Sequence, residues 1–254
     1  MNPFDLTGRV AIVTGGNGGI GLAMAKGLAR AGATIAIAAR NEAKGEAAVS
    51  ELGAPRSHCR FYPLQASSKS SCEQMIEGVF ADLGGCDILI NNAGMAVRKP
   101  PELISEAEWR EVLDVNLSGA LFCAQAAYPH MKAAGHGKII NIGSMYSLFG
   151  APYVAAYAAS KAGLVALTRS LACAWAADNI QVNAILPGWI DTDLTRRARE
   201  QVEGLHDFVV ARTPAGRWGE PGDLAGAAVF LSSPAADFVT GAALAVDGGY
   251  SARG

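Results

Sequence analysis

Long apolar runs, paired cysteines and surplus charge are all missing from this 254-residue chain, and each absence removes a class of function. No stretch of about 18 uninterrupted apolar residues exists to span a bilayer. The segment Met1 to Arg9 lacks a basic region followed by an apolar run, so no secretory signal is expected and the cytoplasm is the expected compartment. The cysteines, Cys59, Cys72, Cys86, Cys123 and Cys173, form no CxxC pair and are odd in number, which argues for reduced, mostly buried thiols rather than a disulfide framework. Lys plus Arg total 21 against 23 Asp plus Glu, and a net charge of −2 offers no field to draw a polyanion or a membrane, so nucleic-acid binding is disfavoured. His58, His130, His136 and His206 show neither HxH nor HExxH spacing, and no metal site is expected.

What is present is an apolar half, enough for a substantial core, and no internal repeat, low-complexity tract or proline-rich linker to divide it. One domain spanning residues 1–254 follows. Seven short β-rich runs are predicted as strands: 10–14, 34–39, 60–64, 87–91, 138–142, 180–186 and 242–246. Helical patterns fall at 20–31, 42–52, 70–83, 105–132, 153–177 and 221–232. Near-continuous apolar strands separated by helices point to an α/β fold: a doubly wound, seven-stranded parallel sheet, Rossmann-like, with helices on both faces. Strand order is not readable from this pattern. The segments 117–127 and 162–175 are too apolar for helices that meet water on one side, so they are expected to pack on both the sheet and another subunit. The least regular region, 189–218, is rich in Asp, Glu and Arg and suits a mobile cover over a site; the plainer alternative is a solvated helix pair.

The first strand, Val10 to Thr14, runs into Gly15-Gly16-Asn17-Gly18-Gly19-Ile20-Gly21 and then into a helical pattern. Strand, glycine turn and helix together make a phosphate cradle: glycines let the backbone approach a pyrophosphate, and the helix N-terminus offers unpaired N–H groups and a favourable dipole. Such a segment binds a dinucleotide. The second strand ends Ala38-Ala39-Arg40-Asn41 with no carboxylate to hold ribose hydroxyls, and an arginine there favours a 2′-phosphate, so NADP(H) is expected over NAD(H). The competing reading leaves Arg40 as a surface residue.

Tyr157 and Lys161 are four apart in a helical pattern and therefore share a face. An ammonium beside a phenol favours the phenolate and is expected to lower its pKa from about 10 towards neutrality. Ser144, thirteen residues before Tyr157, would supply a second hydroxyl to the same substrate oxygen.

Taken with Asn91-Asn92-Ala93-Gly94, Asn116 and Pro187-Gly188 leading to Thr192, these motifs resemble the classical short-chain dehydrogenase/reductase family over essentially the full length. The resemblance implies that Asn91, Ala93 and Gly94 line the adenosine side, that Asn116, Ser144, Tyr157 and Lys161 form a catalytic tetrad, and that Pro187, Gly188, Ile190 and Thr192 hold the nicotinamide carboxamide. It further implies that Lys161 reaches the nicotinamide ribose, that Asn116 distorts its helix, and that the protein is a homotetramer. For Asn116 a capping or turn role is the rival reading. Where the family usually has an aspartate to meet adenine, this chain has Gln65, whose carbonyl accepts the same hydrogen bond without charge.

The substrate pocket is expected from Met95, Val97, Arg98, Met145, Tyr146, Tyr153 and Trp189 together with part of the cover. Arg98 would hold a carboxylate in a bidentate fork or, equally, serve in an ion pair at the surface or between subunits. The runs Thr213 to Gly219 and Val246 to Tyr250 are similar to the gluconate and deoxygluconate dehydrogenase branch, which implies a secondary alcohol or ketone of a sugar or sugar acid. A 3-oxoacyl-thioester reductase is the alternative within the family, and a dinucleotide-binding protein without turnover is the alternative outside catalysis.

Overall fold

The computed structural model describes residues 2–53 and 58–253. Seven strands, β1 (Val10–Thr14), β2 (Thr34–Ala39), β3 (Cys59–Pro63), β4 (Ile88–Asn91), β5 (Gly137–Ile142), β6 (Ile180–Pro187) and β7 (Ala243–Val246), form one sheet. Their order is β3-β2-β1-β4-β5-β6-β7, and every neighbouring pair is parallel. Alternate residues of each strand serve opposite faces. Val10 and Ile12 enter a core with α3 (Lys69–Leu83), α5 (Gly119–Ala134) and α6 (Ala155–Trp175), whereas Ala11 and Val13 enter the core under α1 (Gly19–Arg30), α2 (Glu42–Leu52) and α9 (Ala225–Ser232). Both faces are covered, which is why strands such as β1 and β2 read as near-continuous apolar runs rather than alternating.

The chain leaves β1 towards β2 on one side and enters β4 on the other, so a crevice opens at the carboxyl ends of β1 and β4, the place where open α/β sheets bind ligands. Thr14 and Asn92 brace that crevice. The Thr14 hydroxyl accepts from the Asn92 and Ala93 N–H groups, each at 3.0 Å, and the Asn92 amide donates to the carbonyls of Thr14 and Gly15 at 3.0 and 3.1 Å. Gly15 turns at φ 63°, in the left-handed region that favours glycine.

Two elements differ from the sequence pattern. The expected helix over 105–132 is broken into α4 (Glu106–Leu113), a π-helical turn at Asp114–Ser118 and α5. Residues 189–218 hold two helices, α7 (Asp193–Gln201) and α8 (Leu205–Arg212), around a small core of Ala198, Leu205, Val209 and Trp218. The base of this excursion is closed by Asp191 N–H donating to Gly219 O at 2.8 Å and Gly219 N–H donating to Trp189 O at 2.9 Å. Among the described residues no helix is long and apolar enough to cross a membrane.

Candidate active site

α1 starts at Gly19 with no side chain capping it, so its first-turn N–H groups face a cleft of about 370 Å³. Asn17, Gly18, Gly19, Ile20 and Gly21 line this cleft, as do Gly94, Ser144, Tyr157, Lys161, Pro187, Gly188, Ile190 and Thr192. A second cavity of about 430 Å³ takes in Gly15, Arg40, Gln65 and Ala93. The two share Asn17, Lys44, Asn92 and Gly94 and make one groove. Backbone must lie close at its floor: a Cβ on Gly21 would fall 2.4 Å from Gly15 O and 2.5 Å from Asn92 Nδ2. An uncapped helix N-terminus at the centre, cations at one end and hydroxyls at the other fit a nicotinamide dinucleotide.

Not every expected residue reaches the groove. Asn91 is 5% exposed and its amide donates to Ala120 O at 3.2 Å and Asn141 Oδ1 at 2.9 Å, so it ties β4 to α5 and β5, while its neighbour Asn92 meets the groove. Lys44 and Asn92 were not singled out from sequence as site residues. Lys44 had a local signal: Asn41 caps α2 by accepting from the Lys44 N–H at 2.9 Å, which brings a basic residue to the start of the helix beside Arg40.

At the other end, Ser144 follows β5 and Tyr157 stands in the first turns of α6, with Lys161 one turn on. Ser144 Oγ accepts from the Tyr146 N–H at 3.1 Å, which fixes the oxygen and leaves its proton to donate. Ser147 Oγ donates to Lys161 O at 2.9 Å and clamps the β5 loop on α6. Lys161 is 4% exposed, and its ammonium donates to Ile142 O at 2.6 Å and lies 5.7 Å from the Tyr157 ring centroid.

The electrostatics differ from the sequence expectation. Burial pushes the Tyr157 phenol above its ordinary value of 10, while the Ser144 hydroxyl and the Arg98 guanidinium pull it down. Lys161 is directed at a backbone carbonyl and is itself pushed down to about 8 by burial. Desolvation therefore sets the direction, and the groups that pull the phenol down are Ser144 and Arg98 rather than Lys161, which the i, i+4 spacing alone could not disclose.

Asn116 lies in the π turn, a local widening frequent at functional sites. Its Oδ1 accepts from Met95 N–H at 2.8 Å; its Nδ2 donates to Met95 O at 2.9 Å and to Ser160 Oγ at 3.0 Å. Ser160 Oγ donates in turn to Tyr157 O at 2.7 Å. The residue joins the segment after β4 to the turn that carries the phenol.

Beside this centre a third cavity, about 640 Å³, is lined by Arg98, Met145, Tyr146, Tyr153 and Trp189 together with residues of α8. Tyr146 stands edge-on to both Tyr157 and Trp189, at 6.4 and 6.1 Å between centroids. Arg98 forms no ion pair with a carboxylate among the described residues. Arg212, also unremarked from sequence as a site residue, enters this cavity from the end of α8.

Known proteins share this arrangement. The family described as enoyl-(acyl carrier protein) reductase matches residues 15–251. A 2-dehydro-3-deoxy-D-gluconate 5-dehydrogenase of Formosa agariphila is 42% identical over 250 residues, covering 98% of this chain and 95% of that protein. A crystal structure of a gluconate 5-dehydrogenase from Burkholderia cenocepacia in complex with NADP and tartrate superposes with a TM-score of 0.94 at 40% identity, covering 100% of this chain and 99% of that one. A short-chain type dehydrogenase/reductase from Mycobacterium marinum superposes with a TM-score of 0.92 at 32% identity over 98% of both chains. With its all-parallel sheet, glycine cradle and Ser144, Tyr157 and Lys161 around one cleft, the chain is an oxidoreductase and belongs to the short-chain dehydrogenase/reductase family.

Proposed function

We propose that the protein interconverts a secondary alcohol and a ketone on a sugar acid, with NADP(H) preferred over NAD(H). The observation that carries the substrate class is Arg98, a guanidinium without a carboxylate partner among the described residues, whose charge acts on Tyr146 and Tyr157 beside a cavity large enough for a six-carbon acid. The named activities of the 42% and 40% identical relatives support the same class. For the cofactor, Arg40 and Lys44 flank the adenosine end, where a 2′-phosphate would find two cations; Gln65 lies there for the adenine edge.

NADP(H) held in this groove would supply the hydride exchange with the carbinol carbon. Tyr157 takes the hydroxyl proton as the carbonyl forms and gives it back in the other direction. Ser144 donates to the reacting oxygen, where charge develops. Lys161 places a cation one helical turn from the phenol and lies within the cleft where the ribose would be. Asn116 keeps the two loops at the required separation.

A homotetramer is part of the proposal: Phe80 on α3 and Trp109 on α4 are 42% and 39% exposed, apolar surface suited to a subunit contact. Sedimentation at micromolar concentration checks it, and a monomer contradicts it. The function is tested with a panel of aldonic acids, neutral sugars, cyclic ketones and acetoacetyl thioesters, each with NADP(H) and NAD(H). Turnover of aldonic acids is expected. Activity on thioesters alone rejects the sugar-acid reading, and cofactor binding without hydride transfer across the panel rejects catalysis.

A further inference from the structure

Arg212 ends α8 and contributes to the same cavity as Arg98. Three arginines of the 189–218 excursion are paired with carboxylates: Arg196 and Arg199 with Asp191, Arg217 with Asp223. Arg212 has no carboxylate partner among the described residues. Its Nε is buried with no hydrogen-bond partner, and its guanidinium lies 4.7 Å over the Tyr250 ring. A partly desolvated cation with an orphaned N–H is costly to keep unless an anion completes it.

The aromatic rings of the pocket link the two guanidiniums. Tyr157 packs on Tyr146, and Tyr250 acts electrostatically on Tyr146 while packing on Phe149 at 6.5 Å. Arg212 lies over Tyr250, while Arg98 is the guanidinium whose charge reaches Tyr157 itself. The end of α8 that carries Arg212 is held in place. Thr213, next in sequence, donates its N–H and hydroxyl to Val209 O at 2.9 and 2.7 Å, and Ala215 N–H donates to Gly248 O at 3.0 Å, tying the end of α8 to the turn that carries Tyr250.

We propose that Arg212 is a specificity-determining residue that holds the substrate carboxylate, so that the enzyme selects hydroxy acids whose reacting carbinol lies several carbons from the acid group. Arg98 then faces the reacting end of the same molecule. This deepens the sugar-acid reading and rests on it for the identity of the ligand. Acids with the hydroxyl next to the carboxylate cannot engage Arg212 and Tyr157 together.

The experiment compares gluconate with gluconamide, which differ only in the charge of the terminal group. Calorimetry on the NADPH-saturated enzyme gives both dissociation constants without turnover. Wild type is expected to favour gluconate by roughly tenfold to hundredfold, the range of one charge-assisted bidentate pair. In Arg212→Met the ratio should fall to near one while gluconamide binding and NADPH binding stay as in wild type, and kcat on gluconate should change far less than KM. Arg212→Lys, which keeps the charge and loses the fork, should retain part of the preference. An undiminished ratio in either variant, or a wild-type ratio near one, overturns the proposal. Arg212-dependent binding of gluconate with no oxidation of it upholds the anion site and instead overturns the sugar-acid reading of the reaction.

Discussion

Replacing Lys161 with methionine tests how the fold holds a nearly buried charge. The ammonium is 4% exposed, its hydrogen bond is to Ile142 O at 2.6 Å, and burial is the cause that brings its pKa from 10.5 to about 8. A depression of that size corresponds to about 3 kcal/mol by which the charged lysine opposes folding. Below the folded value both states carry the proton and the penalty is fully present. Between the folded and unfolded values the unfolded chain holds a proton that the folded chain has released, so stability rises with pH. The unfolding free energy of wild type minus that of Lys161→Met should therefore increase by about 2 kcal/mol from about pH 7.5 to about pH 9.5. Urea unfolding of both proteins at the two pH values measures it, and the titrations common to both cancel in the difference. A flat or falling difference would show that the ammonium has a partner or solvent that offsets its burial, and the reasoning would fail. The same substitution should abolish turnover, so the residue opposes stability while serving the reaction.

Arg40→Asp should lower the NADP over NAD preference in kcat/KM by at least about tenfold, since a charge-assisted bond to the 2′-phosphate is lost and a repulsion gained; an unchanged ratio, or a wild type that already favours NAD, refutes the assignment. Gly21→Ala places a methyl 2.4 Å from Gly15 O, where no flexible side chain can yield, so NADPH fluorescence titration should show affinity weakened by an order of magnitude or more, about 1.4 kcal/mol. Asn116→Ala leaves Met95 and Ser160 without their partner and should cost about 1–3 kcal/mol in denaturant unfolding, together with a fall in kcat; a neutral change in both would make the π turn incidental.

The sheet was legible because strands covered on both faces are buried at nearly every position and so read as mostly apolar runs, as Val10 to Val13 and Ile35 to Ala39 do. The cradle was legible because its glycines stand where backbone meets backbone, as at Gly21. The break at Asp114–Ser118 was not, since the apolar periodicity of 105–132 runs through it and its cause is a contact between Asn116 and Met95, distant in sequence. Asn91 was placed at the cofactor for its motif, whereas its side chain shares the face of Leu89, towards α5. Arg212 was hidden among the charges of the 189–218 excursion, because which arginines find an aspartate is settled only in three dimensions. The direction of the Tyr157 shift depended on burial, and spacing along a helix carries no information about burial depth.

The central claim is that the Tyr157 phenol moves the proton as hydride is exchanged. Tyr157→Phe removes that hydroxyl and keeps the ring that packs on Tyr146. Single-turnover hydride transfer on the accepted alcohol should slow by about 10²–10⁴-fold, the usual worth of a positioned acid-base, while NADPH binding stays within a few-fold of wild type. A rate near that of wild type would contradict the account.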